Sequence, residues 1–393
     1  MMRDRFEAGA EESAEMTIAR LVGRFSGAAG PCVIVVGGLH GNESAGIRAI
    51  DRVVRRLRSD GVEFKGDLIG FAGNLAAIEA GERYLRTDLN RLWTEEGVRT
   101  MRRDRRTAHD DPEEREQLAL LASLDDAVAQ ARGPVVFLDL HTSSAPGEPF
   151  ICFADTLRNR EFAFHFPAPI ILGLEETIDG ALSELMTREG HISIAVEGGQ
   201  HDADSSVDHL AATIWIALET AGCIAEGAVD DVAVLREKLA AASAHVPPVL
   251  ELTSRHPIQS EDEFKMEPGF RNFQRIEAGE HLATDRSGQI MAPKPCRVLL
   301  PLYQAVGNDG FFLAREVEPF WLGISRILRR LRVSNIVHWF PGVDRHPAHR
   351  NWLRVNPSVA RWYVYDLFHL LGYRKQRAEG RMLVVERRAH DLR

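Results

Sequence analysis

Short runs of apolar residues alternate with helical patterns through the first 225 residues of this 393-residue chain. Several of these runs are apolar throughout, instead of at every second residue, which is typical of strands that helices cover on both faces. The alternation predicts an α/β domain in which helices flank a mixed, mostly parallel sheet. In such sheets, ligand sites form beyond the carboxyl ends of the strands.

Two segments with different sequence patterns follow the α/β part. Residues 249–315 contain short predicted strands between turns rich in glycine and proline, which is typical of a small β-rich, barrel-like domain. The segment 316–393 combines an amphipathic basic helix with a later strand, which predicts an α+β extension. We therefore predict domains at 1–245, 246–315 and 316–393. The strands of the first domain are predicted at 17–25, 32–36, 67–72, 135–140, 149–153, 169–172 and 192–196, and its helices at 44–58, 112–132, 180–189, 205–222 and 229–244.

Charge and cysteine content limit the partners. The chain has a net charge of −9 although residues 316–393 alone carry +8, so the preceding part is strongly acidic. An acidic body argues against nucleic-acid binding, and we expect the basic extension to dock on it instead of binding nucleic acid or a membrane.

The four cysteines are far apart, which indicates reduced thiols and a cytoplasmic protein. The N-terminus is too charged for a signal peptide, and no apolar run is long enough to span a bilayer.

A histidine and a glutamate follow the second predicted strand. His40 and Glu43 stand three positions apart in G-G-L-H-G-N-E, where a glycine turn leads into a helix. Both residue types bind zinc, and this pair would form the first half of a catalytic zinc site. Alone it is weak evidence, because a surface histidine and a first-turn glutamate favoured by the helix dipole give the same pattern.

Two later strand ends carry residues that complete such a site. His141, in F-L-D-L-H-T-S, is the candidate third ligand, with Asp139 placed to orient it. Glu197 follows the strand at 192–196 and precedes two glycines, where a carboxylate adds little stability. We predict that Glu197 is the general base that takes a proton from water and passes it to the leaving amine. A hydrogen-bonded loop histidine and an acidic turn residue are the structural alternatives.

The segment 82–91, E-R-Y-L-R-T-D-L-N-R, is the candidate anion-binding element. Arg83, Asn90 and Arg91 would clamp a substrate carboxylate. One arginine would also stabilise the oxyanion that develops on the scissile carbonyl, so Arg83 is predicted to be both catalytic and substrate-binding. For Arg86 we expect only a surface pairing with acidic neighbours.

Together these motifs resemble those of the succinylglutamate desuccinylase/aspartoacylase family, which belongs to the zinc carboxypeptidase-like hydrolases. The motifs G-G-L-H-G-N-E, R-Y-x-x-x-D-L-N-R, D-L-H-T-S and V-E-G-G occur here in the order of that family, and the resemblance covers roughly residues 17–315. It implies a carboxypeptidase-like fold with a β-rich domain that narrows the active-site entrance. It also implies one Zn²⁺ held by His40, Glu43 and His141, with Glu197 as base.

The resemblance predicts a zinc-dependent amidohydrolase that removes an acyl group from a small N-acyl amino acid. Two departures argue against N-acetylaspartate as the substrate. Phe311 and Phe312 stand where aspartoacylases place a substrate-contacting tyrosine, and Arg188 is the only arginine where an Arg/Tyr pair is expected. The alternatives are a metallocarboxypeptidase for short peptides and a non-enzymatic ligand-binding member. A homo-oligomer is compatible with the sequence, which names neither the acyl group nor the amino acid.

Overall fold

The computed structural model describes residues 18–104, 110–349, 351–360, 364–388 and 390–391. The strands are β1 Leu21–Ser26, β2 Ala28–Gly37, β3 Lys65–Ala72, β4 Val135–Ser143, β5 Phe150–Cys152, β6 Ile170–Leu172, β7 Ile192–Gln200, β8 Val249–Pro257, β9 Lys265–Met266, β10 Arg275–Ile276, β11 His281–Asp285, β12 Gly288–Met291, β13 Cys296–Leu299, β14 Asp309–Glu316, β15 Val343–Arg345, β16 Trp352–Val355, β17 Tyr373–Glu379 and β18 Met382–Arg387. The helices are α1 Ala45–Asp60, α2 Leu75–Ala80, α3 Glu95–Arg103, α4 Pro112–Gln130, α5 Leu157–Ala163, α6 Leu174–Thr177, α7 Leu182–Arg188, α8 Asp204–Ala221, α9 Asp230–Ala242, α10 Pro319–Arg330, α11 Pro357–Ala360 and α12 Val364–Leu370.

Eleven strands form one mixed sheet in the order β1-β3-β2-β4-β7-β5-β6-β8-β14-β13-β10. The neighbours β3, β2, β4 and β7 run parallel, which confirms the predicted α/β class. β2 shows why its sequence is apolar throughout. Val33 and Val35 pack in the core that contains α1 and α8, whereas Ile34 and Val36 pack in the core that contains α4. Successive side chains on a strand point to opposite faces, so both faces of β2 are buried.

The predicted helices of the first domain are present, and local signals explain where they begin and end. α1 stops at Gly61, which adopts the left-handed conformation (φ 62°) that glycine tolerates best. α4 begins after Asp111, whose side chain accepts hydrogen bonds from the backbone nitrogens of Glu113 and Glu114, with Pro112 in the first helical position. The predicted strand at 17–25 corresponds to β1, and residue 17 lies outside the described residues.

The β-rich texture after residue 248 is confirmed, but the barrel-like arrangement is not. β8 pairs with β6 on one side and with β14 on the other, and β13 and β10 follow. These four strands therefore extend the main sheet. The short strands β12, β11 and β9 form a separate three-stranded sheet.

The C-terminal segment forms a four-stranded antiparallel sheet, β15-β16-β18-β17, with α12 packed against β17 and α10 packed against α12. Buried ion pairs join this segment to the preceding part of the chain. Arg329, with a fully buried side chain, lies 2.9 Å from Asp155 and 3.2 Å from Asp391. Arg388 lies 2.8 Å from Glu176. Within the described ranges, every helix is too short or too polar to cross a membrane.

Candidate active site

Three strands and one helix bring the predicted site residues together. His40 lies three residues beyond the end of β2, and Glu43 lies just before α1. His141 in β4 and Glu197 in β7 are register partners on neighbouring parallel strands. Because β2, β4 and β7 are adjacent and run in the same direction, their carboxyl ends meet at one edge of the sheet.

His40, Glu43 and His141 form a compact buried group. The distance from His40 Nδ1 to Glu43 Oε1 is 2.7 Å, and that from His141 Nδ1 to Glu43 Oε2 is 3.0 Å. The candidate ligand atoms of the three residues all lie within 4.8 Å of one another. Two imidazole nitrogens and a carboxylate that converge in this way are suited to hold a metal ion, and zinc in particular accepts this donor set.

Each histidine also contacts a second carboxylate through its Nε2 atom. His40 Nε2 lies 3.0 Å from Asp88 Oδ1, and His141 Nε2 lies 3.1 Å from Asp139 Oδ1. Such contacts fix the ring orientation and leave Nδ1 facing inward, as is usual for metal-binding histidines. The contact predicted for Asp139 is therefore present. Asp88 was not predicted in this role, although it stands inside the motif R-T-D-L-N-R.

The electrostatics of this group favour an ionised Glu43. Burial alone would raise the pKa of Glu43, but His40 and His141 hold this pKa well below its usual range. Burial also works against a charged His141, yet Asp139 and Glu43 raise the pKa of its imidazole well above the usual value. The group thus contains strong charge interactions within a volume that excludes most water.

Glu197 lies beside the group formed by His40, Glu43 and His141, and one of its carboxylate oxygens lacks a hydrogen bond within the described ranges. Its Oε2 is buried and has no hydrogen-bond partner among the described residues. Burial raises the pKa of Glu197 to about 7, with His141 opposing this shift and Glu43 adding to it. A carboxyl group with a pKa near neutrality can both accept and release a proton at physiological pH.

Arg83, Asn90 and Arg91 all line the cavity that contains this group. Arg83 Nη1 lies 3.2 Å from Glu43 Oε1, so the guanidinium borders the candidate metal position. Asn90 Oδ1 accepts a hydrogen bond from the backbone nitrogen of Leu182 at 2.9 Å, and the amide nitrogen of Asn90 lies 3.4 Å from His141 Nε2. The cavity therefore contains the three predicted residues, and their substrate contacts stay a prediction. Arg86 is exposed at the surface.

Arg91 already has an acidic partner. Its Nη2 lies 3.0 Å from Asp309 Oδ2, and Arg255 binds the other oxygen of the same carboxylate. Asp309 also lines the cavity. It was not predicted, because the pattern N-D-G resembles an ordinary turn and the contact joins residues 218 positions apart.

The loop between β13 and β14 covers one side of the cavity, whose volume is about 130 Å³. Asn42 donates a hydrogen bond to Gln304 Oε1 at 3.1 Å, and the backbone nitrogen of Tyr303 donates to Ser144 Oγ at 3.2 Å.

His201 also lines the cavity, but it does not belong to the candidate metal group of His40, Glu43 and His141. Its Nδ1 lies 2.7 Å from Thr142 Oγ1 instead.

The two phenylalanines of the predicted departure have different positions. Phe312 lines the cavity, whereas Phe311 stacks on His256 with 4.9 Å between ring centroids.

Arg188 does not line the cavity. It pairs with Glu184 at 2.9 Å instead. Glu175, which the sequence did not single out, lines the cavity instead. It stands in the first turn of α6, where an acidic residue usually indicates only a favourable helix dipole.

Comparison with known proteins agrees with this geometry. Residues 29–197 match the family described as the succinylglutamate desuccinylase/aspartoacylase catalytic domain. A succinylglutamate desuccinylase from Burkholderia lata is 36% identical over 116 residues, which cover 28% of this chain and 30% of that protein. One from Yersinia enterocolitica is 39% identical over 67 residues, covering 17% of this chain and 20% of that protein. The matches thus span less than a third of these curated relatives.

Solved structures extend the likeness of the fold beyond the matched segment. The succinylglutamate desuccinylase/aspartoacylase from Rhodobacter sphaeroides superposes with a TM-score of 0.55 at 18% identity, covering 76% of this chain and 88% of that chain. The succinylglutamate desuccinylase from Vibrio cholerae gives a TM-score of 0.51 at 16% identity, covering 75% of this chain and 83% of that chain. At these identities the likeness shows a shared fold.

Proposed function

We propose that this chain, whose residues 29–197 match the succinylglutamate desuccinylase/aspartoacylase catalytic domain, is a zinc-dependent deacylase of small N-acyl amino acids. The reaction adds water across the amide. The C–N bond breaks, the acyl carbon gains a hydroxyl group, and the leaving nitrogen gains a proton. The observation that carries the proposal is the register pairing of His141 with Glu197, which sets a candidate ligand beside a buried carboxyl group.

The cofactor of this proposal is about one Zn²⁺ per chain, held by His40, Glu43 and His141. The fit rests on the donor set, because both Nδ1 atoms converge on Glu43 while Asp88 and Asp139 hold the opposite ring nitrogens. Zinc bound there supplies a Lewis acid that polarises the scissile carbonyl and lowers the pKa of water.

Glu197 is the base of the proposal. Its unpartnered Oε2 is available to accept a proton from the attacking water. The same carboxyl group then donates this proton to the leaving nitrogen, so that Glu197 returns to its ionised form. A pKa of about 7 suits both steps, because neither protonation state is strongly favoured near neutral pH.

Arg83 is the proposed stabiliser of negative charge on the carbonyl oxygen. It borders Glu43 and is mostly buried, so a developing oxyanion would meet a positive charge that water screens little. Asn90 and Arg91 are proposed to orient the substrate from the same wall of the cavity.

A small substrate is favoured over a peptide. Asn42, Ser144 and His201 hold the loop between β13 and β14 over the cavity, and a long peptide chain would displace this loop. In the proposal, residues 246–315 therefore act as a domain that narrows the entrance, and residues 316–393 are a separate docked extension.

A panel of N-acetyl and N-succinyl amino acids, assayed for the release of free amine, tests the proposal. We expect the zinc-loaded protein to hydrolyse at least one member and Glu197→Gln to lose this activity. The proposal is wrong if the zinc-loaded protein releases amine from short peptides but from no N-acyl amino acid.

A further inference from the structure

The apolar end of the cavity contains one buried carboxylate. Glu175 lines this end together with Leu174, Ile178 and Ala181, and only 4% of its surface is exposed. Ser183 Oγ donates a hydrogen bond to Glu175 Oε1 at 2.7 Å. Oε2 is buried and has no hydrogen-bond partner among the described residues. A buried, half-satisfied carboxylate is costly for a fold, so its presence in a substrate cavity calls for a ligand.

The described residues place no cation in contact with Glu175. The nearest arginine in sequence, Arg188, pairs with Glu184 at 2.9 Å. Arg388 approaches from the C-terminal extension, but its Nη1 lies 2.8 Å from Glu176 and its Nη2 lies 3.4 Å from Glu184. Burial raises the pKa of Glu175 to about 7, although the Ser183 hydrogen bond opposes this shift. Glu175 therefore has no ion pair like those of its neighbours, and Arg388 interacts with it only at longer range.

Glu175 is close enough to the reaction centre to contact a substrate. Cys152 Sγ lies 3.9 Å from Glu175 Oε1, and Cys152 is the register partner of Ala195. Ala195 precedes Glu197 by two residues, which places both side chains on the same face of β7, about 7 Å apart along the strand. Glu175 and the proposed base thus line the same cavity, with Cys152 close to both residues.

The charged residues that line the cavity also favour a cationic ligand over an anionic one. The lining includes four carboxylates and two guanidiniums, namely Glu43, Glu175, Glu197, Asp309, Arg83 and Arg91. Asp309 already pairs with one guanidinium nitrogen of Arg91, which weakens the attraction of this arginine for a second substrate carboxylate. A dianionic amino acid would set its side-chain carboxylate against buried like charges, which is strongly unfavourable at low dielectric.

We propose that Glu175 binds an ammonium group on the side chain of the leaving amino acid, so that the substrates are N-acyl diamino acids. This inference rests on the proposed function and names the substrate class of the same site. The ammonium would give Oε2 its missing partner, and the aliphatic part of the side chain would contact Leu174, Ile178 and Phe312.

Three substrates of similar length test the proposal. Nα-acetylornithine, Nα-acetylnorleucine and Nα-acetylglutamate, together with their N-succinyl counterparts, present a cationic, a neutral and an anionic side chain to the zinc-loaded protein. We expect kcat/KM to be highest for the ornithine compounds. In Glu175→Gln, the ratio of kcat/KM for ornithine over norleucine should fall about 10- to 100-fold, because a hydrogen bond to a charged group is lost.

Two further variants serve as controls. Glu161→Gln removes an exposed carboxylate that pairs with Arg330, and it should leave the ratio unchanged. Glu175→Asp keeps the charge and should retain part of the ornithine preference, which separates loss of charge from loss of packing. Hydrolysis of the glutamate or norleucine compounds at least as fast as the ornithine compounds overturns the inference and leaves the deacylase function standing. If the wild-type protein releases amine from none of the six compounds, both are overturned.

Discussion

His141 and Glu197 face each other as register partners on the parallel strands β4 and β7. Their backbones are held about 5 Å apart by the hydrogen-bond ladder of the sheet. The spacing between a candidate metal ligand and a candidate base is therefore set by the most rigid part of the fold. A loop contributes Arg83 and the start of β14 contributes Asp309. Both residues border the cavity, but they do not determine this spacing.

Metal content should depend on His141 and not on His201. Both histidines line the cavity, but only His141 belongs to the group whose ligand atoms converge. We expect purified wild-type protein and His201→Ala to contain about one zinc per chain, whereas His141→Ala should contain little. Inductively coupled plasma mass spectrometry of the folded variants measures this difference. Equal zinc content in the two variants would refute the ligand assignment.

The pH dependence of kcat/KM should report on Glu197. Only the carboxylate form can accept a proton, so kcat/KM should rise as the pH increases through the pKa of this group, which is about 7 without a metal. A bound cation favours the carboxylate and shifts the rise to lower pH. Glu197→Gln should lower kcat by about 10²- to 10⁴-fold while it keeps the metal. Retention of full activity in this variant would mean that another group is the base.

Arg83 and Arg86 form a matched pair for testing the oxyanion role. Arg83 borders Glu43 inside the cavity, whereas Arg86, three residues later, is exposed. We expect Arg83→Ala to lower kcat by about 10²- to 10³-fold, as is typical when one oxyanion-stabilising group is removed. Arg86→Ala should change kcat by less than about twofold, as expected for an exposed residue away from the site. Steady-state kinetics on one substrate decides, and similar losses in the two variants would contradict the assignment.

The free energy of unfolding should depend on Arg329 far more than on the neighbouring Arg330. The buried guanidinium of Arg329 contacts Asp155 and Asp391, so Arg329→Met leaves buried carboxylates without this partner. We expect a loss of about 3–5 kcal/mol in the free energy of unfolding. Arg330→Met removes only an exposed pair with Glu161 and should cost less than about 1 kcal/mol. Urea unfolding followed by tryptophan fluorescence compares the two, and equal losses would show that the buried ion pairs do not hold the extension.

The candidate metal group could be predicted from the sequence because each of its members stands at or near the end of a strand. His40 and His141 follow apolar runs, and parallel strands bring such ends to one edge of a sheet. Glu175 and Asp309 could not be predicted in the same way. They stand in a short helix and at the start of a late strand, and only tertiary packing turns them toward the cavity.

The barrel-like prediction shows a second limit of sequence patterns. Short strands between glycine- and proline-rich turns look the same whether they close on themselves or pair with an existing sheet. Here β8 pairs with β6, and this pairing makes the later strands an extension of the main sheet. Pairing partners depend on long-range contacts that strand propensity does not specify.

The most direct test is a zinc titration of chelator-treated protein, with the release of free amine from an N-acyl amino acid as the readout. We expect the chelated protein to be inactive and the rate to rise with added zinc to a plateau at about one equivalent per chain. His141→Ala should show no such rise at these zinc concentrations. Amine release that is unaffected by chelation, or a fully zinc-loaded protein that hydrolyses no N-acyl amino acid, would refute the zinc-dependent deacylase.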